Sequence, residues 1–493
     1  MDKNLASRTA SASAALLGAR LFVKIIDFAL ILILARILVP EDFALVALAT
    51  IFIQFTEAIL EIPVAQALIR TPKINDDMLD TAFTISFIRA LLLAFLVVAA
   101  SPFAVAFFDE PRLGPLMALL ALAPAIRGLV NPRLVMYARR LNYFPEALID
   151  TFAKVVTTAI AIPLAIKTGS YWSLAVMNVL TPITVLIGSY LFAPYRPRLS
   201  LKEWPVFSNM ISWTTLSQIF SAANWQIDIV MVGRALSADV VGKYSMAQTL
   251  ASAPIQVFVV PISKPFIAAF KEIKGIAGLR SGYLQALSAV FAAVSPILTL
   301  IVCLADPIVA ILFNDAWEGA TIFLAVLSFS SVIGLTAFPL SNLALSLNKA
   351  RWNAIQALIG LSVKGPLLVV GLYFFGVGGF LAGQVVGVFA WAVAGWIIVK
   401  RLIGLSVWSQ IAALARPTSA LTVMAAIVVS VNSILPSDLH PLIVLVGLGA
   451  FGTGAYVATL FILWRFVGQP EGLEKMTASL AAKLIKRNAT QST

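Results

Sequence analysis

The chain has 493 residues, 60% of them hydrophobic and only 12% charged, with a mean hydropathy of +0.96. A water-soluble domain cannot hide that much apolar surface, so the solvent that suits the chain is lipid. The formal net charge of +12 then belongs to cytoplasmic loops rather than to nucleic-acid binding, and a single cysteine (Cys303) with a single histidine (His440) excludes an internal disulfide and a Cys/His metal site.

The first apolar stretch looks superficially like a signal peptide. Arg20, Lys24 and Asp27 interrupt it and it runs on to Leu34, so it is read as an uncleaved first membrane helix. Apolar runs divided by Pro, Gly and polar punctuation give about fourteen spanning segments. They are 12–34, 42–68, 81–107, 113–136, 146–167, 171–193, 206–233, 240–269, 281–304, 318–345, 352–374, 378–400, 415–435 and 440–464. No connecting loop is long enough for a separate folded domain. The linker 195–205, with Arg196, Arg198, Lys202 and Trp204, suits the headgroup level. After Arg465, Leu473, Met476, Leu480 and Leu484 share one face of a possible interfacial amphipathic helix; a frayed tail is the alternative.

Basic residues set the expected orientation. They gather in alternate connections, for example Arg70 and Lys73, then Arg133, Arg139 and Arg140, then Lys271, Lys274 and Arg280. The opposite loops hold only Arg36, Arg112, Lys167, Arg234 and Lys243. This bias predicts both termini in the cytoplasm.

The chain also repeats itself. Ala35-Arg36-Ile37-Leu38 is echoed by Gly233-Arg234-Ala235-Leu236, and at the same offset Pro63 matches Pro261. Pro102 with Phe108-Asp109-Glu110 matches Pro307 with Phe313-Asn314-Asp315, and Leu141-Asn142 matches Leu347-Asn348. The expected architecture is all-α and polytopic: two parallel six-helix bundles, 1–195 and 203–403, then helices 13 and 14 (415–464) and a cytoplasmic tail (465–493). Folds of this kind place substrate between the halves and expose it alternately to each side.

Ionisable groups within spans cost about 2.5–3.5 kcal/mol each and mark cavities or partners. Arg20, Lys24 and Asp27 share a face of helix 1, and helix 7 is polar over Ser212–Asp228, so the two are expected to line a cavity. Lys154 in helix 5 and Lys364 in helix 11 hold matching places in the repeats and would make a cationic centre for a diphosphate, unless Asp150, at i−4, neutralises Lys154. Arg89, Arg127 and Lys264, nearer span ends, are read as snorkelling. Glu57 and Glu61 share a face of helix 2; they would bind a coupling cation or proton, or pair with Arg36 or a neighbour. Mid-helix prolines, Pro63 and Pro261 among them, are kinks or gate hinges. Gly379, Gly383 and Gly387 form a packing face, and Asp109, Glu110 and Asp315 are read as turn formers. No P-loop, zinc-protease or nucleophile-elbow motif is present, so no catalytic or metal-ligating residue is assigned.

The stretches ARILVPEDFALVALA (35–49), ALIRTPKINDDMLDTAF (67–83), FFDEPRLGPLMALLALAPAIRGLVNP (107–132) and GRALSADVVGKYSMAQTLASAP (233–254) resemble the Wzx-type polysaccharide transporter family. That family is part of the multidrug/oligosaccharidyl-lipid/polysaccharide exporter superfamily, in the branch similar to colanic-acid and succinoglycan exporters. Ala44 stands where the family has Gly. The resemblance implies a flippase that moves an undecaprenyl-diphosphate-linked repeat unit across the bacterial inner membrane, in contact with membrane lipids and with the polymerase and co-polymerase of an export pathway. It implies substrate contacts at Arg20, Lys24 and Lys364, with Lys154 as a further candidate. Asp27, Asp228, Glu57 and Glu61 would orient those cations or couple to H+ or Na+; no other cofactor is implied. The competing readings are a multidrug antiporter of the same superfamily, which calls for an acidic, aromatic cavity, and a membrane polymerase or ligase, which calls for a large external loop.

Overall fold

A computed structural model describes residues 22–466 apart from 63, 72, 141, 143, 209–212 and 437–438. Arg20 and the tail beyond residue 466 lie outside the described residues. Two compact units divide the chain, Met1–Ser245 and Met246–Thr493.

The first unit begins with α1 (22–37), α2 (Pro40–Ile59), α3 (Val64–Arg70) and α4 (Asp76–Phe108). Then come α5 (Leu113–Leu120), α6 (Leu122–Arg127), α7 (Val135–Arg139), α8 (Phe144–Thr168), α9 (Trp172–Phe192), α10 (Trp204–Ser208) and α11 (Trp213–Ala235). α12 (Ala238–Pro254) runs across the division. The second unit continues with α13 (Ser263–Glu272), α14 (Ile276–Cys303), α15 (Ala305–Leu312), α16 (Ala320–Leu335) and α17 (Pro339–Ser346). It ends with α18 (Arg351–Ile403), α19 (Val407–Asn432) and α20 (Pro441–Phe466).

Among the described residues, ten helices are long and apolar enough to cross a membrane. The 53-residue α18 is one of them, but Gly376 (φ 60°, ψ −146°) folds it into a hairpin, which restores segments 11 and 12 of the sequence reading. Segment 4 appears as the shorter apolar stretch Leu113–Arg127, and segment 7 is α11, too polar to count by hydropathy. Segment 1 is described only from residue 22. The chain is a multi-pass α-helical membrane protein.

Local sequence explains the ends that matter. Pro40 opens α2 where no backbone donor is needed. The Asp42 carboxylate accepts the Val39 N–H (3.4 Å) and the Tyr171 N–H (3.1 Å), and so ties the start of α2 to the turn before α9. Asn75 caps α4 by accepting the Met78 N–H at 2.7 Å; Asp109 ends it in the left-handed region (φ 54°), the turn-forming role its sequence position indicated. Within the α18 hairpin, an added Cβ on Gly379 would stand 2.2 Å from the Gly371 carbonyl and one on Gly383 2.8 Å from the Leu367 carbonyl. The small-residue face therefore seats one arm on the other.

The two repeat-related prolines coincide with two breaks. α2 stops at Ile59, residues 60–62 belong to no helix, and α3 resumes at Val64. In the second repeat, α12 passes through a π turn (Ile255–Val259) and a 3-10 turn (Val260–Ile262) into α13.

In the first unit α11 packs along α2 and α12 starts against it, so the unit runs on to residue 245. A Cβ on Gly242 would meet the Pro40 carbonyl oxygen at 1.9 Å. The second unit has its own core, built on Tyr283, Leu287, Leu298, Leu340, Leu343 and Met424.

Candidate functional site

The polar face of α2 is longer than the two glutamates suggested. Thr50, Gln54, Glu57 and Glu61 are spaced i, i+4, i+7, i+11, which places them on one side of the helix and its continuation. Opposite them, α11 presents Gln218, Ser221 and Trp225. Together they line a cavity of about 640 Å³ that Asn178 of α9 and Arg127 of α6 also enter. The Gln226 side-chain amide donates to the Gln54 carbonyl and joins α11 to α2 beside it.

Charge in this cavity is paired. Arg127 Nη2 lies 2.6 Å from Glu57 Oε1, with side chains 52% and 31% exposed. Arg89 of α4 lies 3.4 Å from Glu61 at the break in α2. These two arginines therefore do not simply snorkel. They meet the two glutamates, which pair with these arginines rather than with Arg36. Each pair opens onto a hollow, so its charges stay within reach of water and of an incoming ligand; such half-exposed pairs add little net stability.

The sequence-predicted cations are distributed differently. Lys154 of α8 is bound to Asp27 of α1 at 2.6 Å, and not through its i−4 neighbour Asp150. The pair fixes α1 against α8 and offsets the Lys154 charge. Lys24, one turn before Asp27, is exposed. Lys364 is buried, 4% exposed, and a Cβ on Gly387 would stand 2.6 Å from its Cβ, so its stem is clamped between the arms of the α18 hairpin. It lies in the second unit, Lys24 and Lys154 in the first. Asp228 of α11 is 1% exposed and accepts the Tyr244 hydroxyl at 3.1 Å, which links α11 to α12. Helix 7 lines a polar cavity, as its composition predicted; its partner among the described residues is α2, and Arg20 lies outside them. Gln54, Asn178 and Arg127 were missed as site residues. The polar stripe from Thr50 to Glu61 was the available signal for the first of these.

A strap crosses the cytoplasm-facing loops of the sequence reading. The Asp80 carboxylate of α4 accepts the Tyr195 hydroxyl and the Arg198 N–H, the latter at 3.2 Å. Thr84 Oγ1 accepts the Ser200 N–H (2.9 Å) and Thr81 Oγ1 the Glu203 N–H (3.3 Å). Burial, and then the Asp80 carboxylate beside it, push the Tyr195 hydroxyl above the ordinary phenol range, so it stays a donor. The linker between the repeats is thus laid along the start of α4.

The profile of the polysaccharide biosynthesis protein family matches residues 33–322. The chain belongs to this family. It is 26% identical over 312 residues to the succinoglycan biosynthesis transport protein ExoT of Rhizobium meliloti, covering 62% of this chain and 63% of that one. It is 22% identical to the lipopolysaccharide biosynthesis protein WzxC of Escherichia coli, covering 62% of each. The matched region thus spans less than two thirds of either relative. The fold is that of the lipid II flippase MurJ in an inward closed conformation (TM-score 0.69, 13% identity, 92% of this chain and 99% of that one). It is shared with an inward-facing multidrug resistance transporter of the MOP superfamily (TM-score 0.60, 16% identity, 79% of this chain and 98% of that one). This family member therefore carries, in its first unit, a polar, charge-paired cavity on the MOP exporter fold.

Proposed function

We propose that the chain is a flippase for undecaprenyl-diphosphate-linked oligosaccharide repeat units, working by alternating access in the bacterial inner membrane with both termini in the cytoplasm. The observation that carries this reading is the cavity of about 640 Å³ between α2 and α11. Its amides and hydroxyls (Gln54, Asn178, Gln218, Ser221) match the alternating donors and acceptors of sugar hydroxyls. Trp225, 58% exposed, offers an aromatic face to a sugar ring. The Glu57–Arg127 pair lets Arg127 transfer its donors to an acidic sugar or phosphate while Glu57 takes a cation or a proton.

An organic-cation exporter needs an unbalanced acidic cavity; here each cavity glutamate carries its own arginine. The names of ExoT and WzxC, a succinoglycan transport protein and a lipopolysaccharide biosynthesis protein, also favour a saccharide cargo. Transport, not bond-making, is the task, and polymerase and co-polymerase are the expected pathway partners. Arg20, Lys24 and Lys364 remain candidate substrate contacts. The Lys154–Asp27 pair and the Asp228–Tyr244 contact are candidate points at which H+ or Na+ coupling loosens helix contacts.

Depletion of the protein in its own cells tests the reading. Lipid-linked repeat units should accumulate on the cytoplasmic leaflet, and surface polysaccharide should fall. Normal surface polysaccharide with new sensitivity to organic cations would overturn it in favour of drug export.

A further inference from the structure

Glu61 stands in the gap of helix 2 and borders two hollows. One is the polar cavity. The other, of about 620 Å³, is walled by Ile59, Ile62, Ile85, Ile88, Leu92 and the strap residue Leu201, with Trp204 beside it. We infer that this break is a lateral seat for an anionic amphiphile, with the isoprenoid tail of the lipid-linked substrate in the aliphatic hollow and its diphosphate at Arg89. The inference rests on the flippase reading.

Three observations carry it. The helix is interrupted at residues 60–62, and Glu61 within that interruption lines both hollows. An amphiphile needs this juxtaposition, since its polar and apolar parts must leave each other within a few bonds of the phosphate.

Arg89 is incompletely used. Among the described residues its one ion pair, to Glu61, is long at 3.4 Å, and its Nε is buried with no hydrogen-bond partner. A guanidinium has five donors in a planar fork, and a phosphate takes two of them at once. A diphosphate arriving at Arg89 would take the accessible donors of the guanidinium, draw the fork toward the hollow so that the Nε–H gains an acceptor, and release Glu61.

The hollow is also built rather than incidental. Ser200 and Glu203 on either side of Leu201 donate their backbone N–H groups to Thr84 and Thr81, so the floor is pinned to α4. Trp204 suits the headgroup level. Ile88 and Leu92, 50% and 43% exposed, face outward, where hydrocarbon can enter sideways.

The test uses the full chain in phosphatidylcholine nanodiscs with a polyprenyl diphosphate bearing a diazirine in its first isoprene units. Crosslinks should map to residues 59–62, 85–92 and 201–204. Unlabelled polyprenyl diphosphate should remove them, and a tenfold excess of phosphatidylglycerol should not. Leu92→Trp, at an exposed position that tolerates bulk, should fill the hollow and cut labelling about tenfold, and Arg89→Gln should do the same. Crosslinks confined to other helices would overturn the seat and leave the flippase reading intact. Equal competition by phosphatidylglycerol would overturn it in favour of an ordinary bilayer lipid. No labelling anywhere would count against both. Because the map is made on the unaltered protein, it decides the matter even if a variant does not fold.

Discussion

Helix 2 and helix 8 of the sequence reading interrupt at repeat-related prolines, yet the two interruptions have different physics. In the second, the backbone stays wound: the Val260 N–H reaches the Ile255 carbonyl across the π turn, and Val259 is fully buried in the core of its unit. In the first, residues 60–62 leave the helix altogether; Glu57 stands in the last turn before the gap and Glu61 within it, each met by an arginine from another helix. A π turn at a proline keeps hydrogen bonds inside the helix and bends it. An opened turn instead frees room for side chains and ligands. The repeat sets where the chain loosens, and the local charges decide whether the loosening becomes a site.

The strongest perturbation removes the pin shared by the two helices. Gly242→Val puts a branched side chain where a Cβ already lies 1.9 Å from the Pro40 carbonyl. Backbone cannot yield as a side-chain tip can, so a loss of about 3 kcal/mol or more is expected, seen as little folded protein by size-exclusion chromatography. Normal yield and melting would show that α2 and α12 do not meet there.

Next comes the charge at the open break. Glu57→Lys would face Arg127 at a separation now 2.6 Å. Transport should fall on the order of 100-fold, and the exchange Glu57→Lys with Arg127→Glu should recover most of it. Gln256→Leu, in the wound break, should change transport less than about threefold. Comparable losses at both would erase the distinction.

Packing gives the third contrast. Val259→Ala removes buried methyls from the second core and should cost about 2 kcal/mol. Leu60→Ala, half-buried in the open break, should cost less than about 1 kcal/mol. Melting of the purified variants in detergent compares them.

The smallest effect concerns the turn after α4. Glu110 accepts from Arg112 Nε and Nη2, both at 2.8 Å, and this hydrogen bonding holds the Glu110 carboxyl below its ordinary value. Because the folded value is depressed, the contribution is complete above the ordinary carboxylate range and fades as pH falls through the lowered value. The small melting difference between the wild type and Glu110→Gln should therefore shrink on acidification. A difference that grows instead would assign the stability to another group.

Much of the fold was legible because lipid imposes it. Apolar runs of spanning length, their punctuation and the Pro63/Pro261 correspondence located the helices and both breaks, and the Gly379 face foretold the close arms of α18. The partners of the charges were not legible. Spacing along one helix proposes Asp150 for Lys154, but the helix-to-helix packing that selects Asp27 leaves no trace in spacing. The same holds for Arg89 and Arg127, which look like snorkelling side chains until α4 and α6 are set beside α2. The unit boundary after residue 245 likewise follows from the contact of α11 with α2, which no local pattern encodes.

Reconstitution gives the sharpest test of the open break as a transport site. The full chain is placed in proteoliposomes with a fluorescent undecaprenyl-diphosphate oligosaccharide and a membrane-impermeant quencher. The wild type should expose label from the protected leaflet, and Trp225→Ala and Glu57→Lys should slow that exposure while leaving the protein folded. Exposure at an unchanged rate in both variants, or none in the wild type, would contradict the assignment of the α2–α11 cavity to the translocated headgroup.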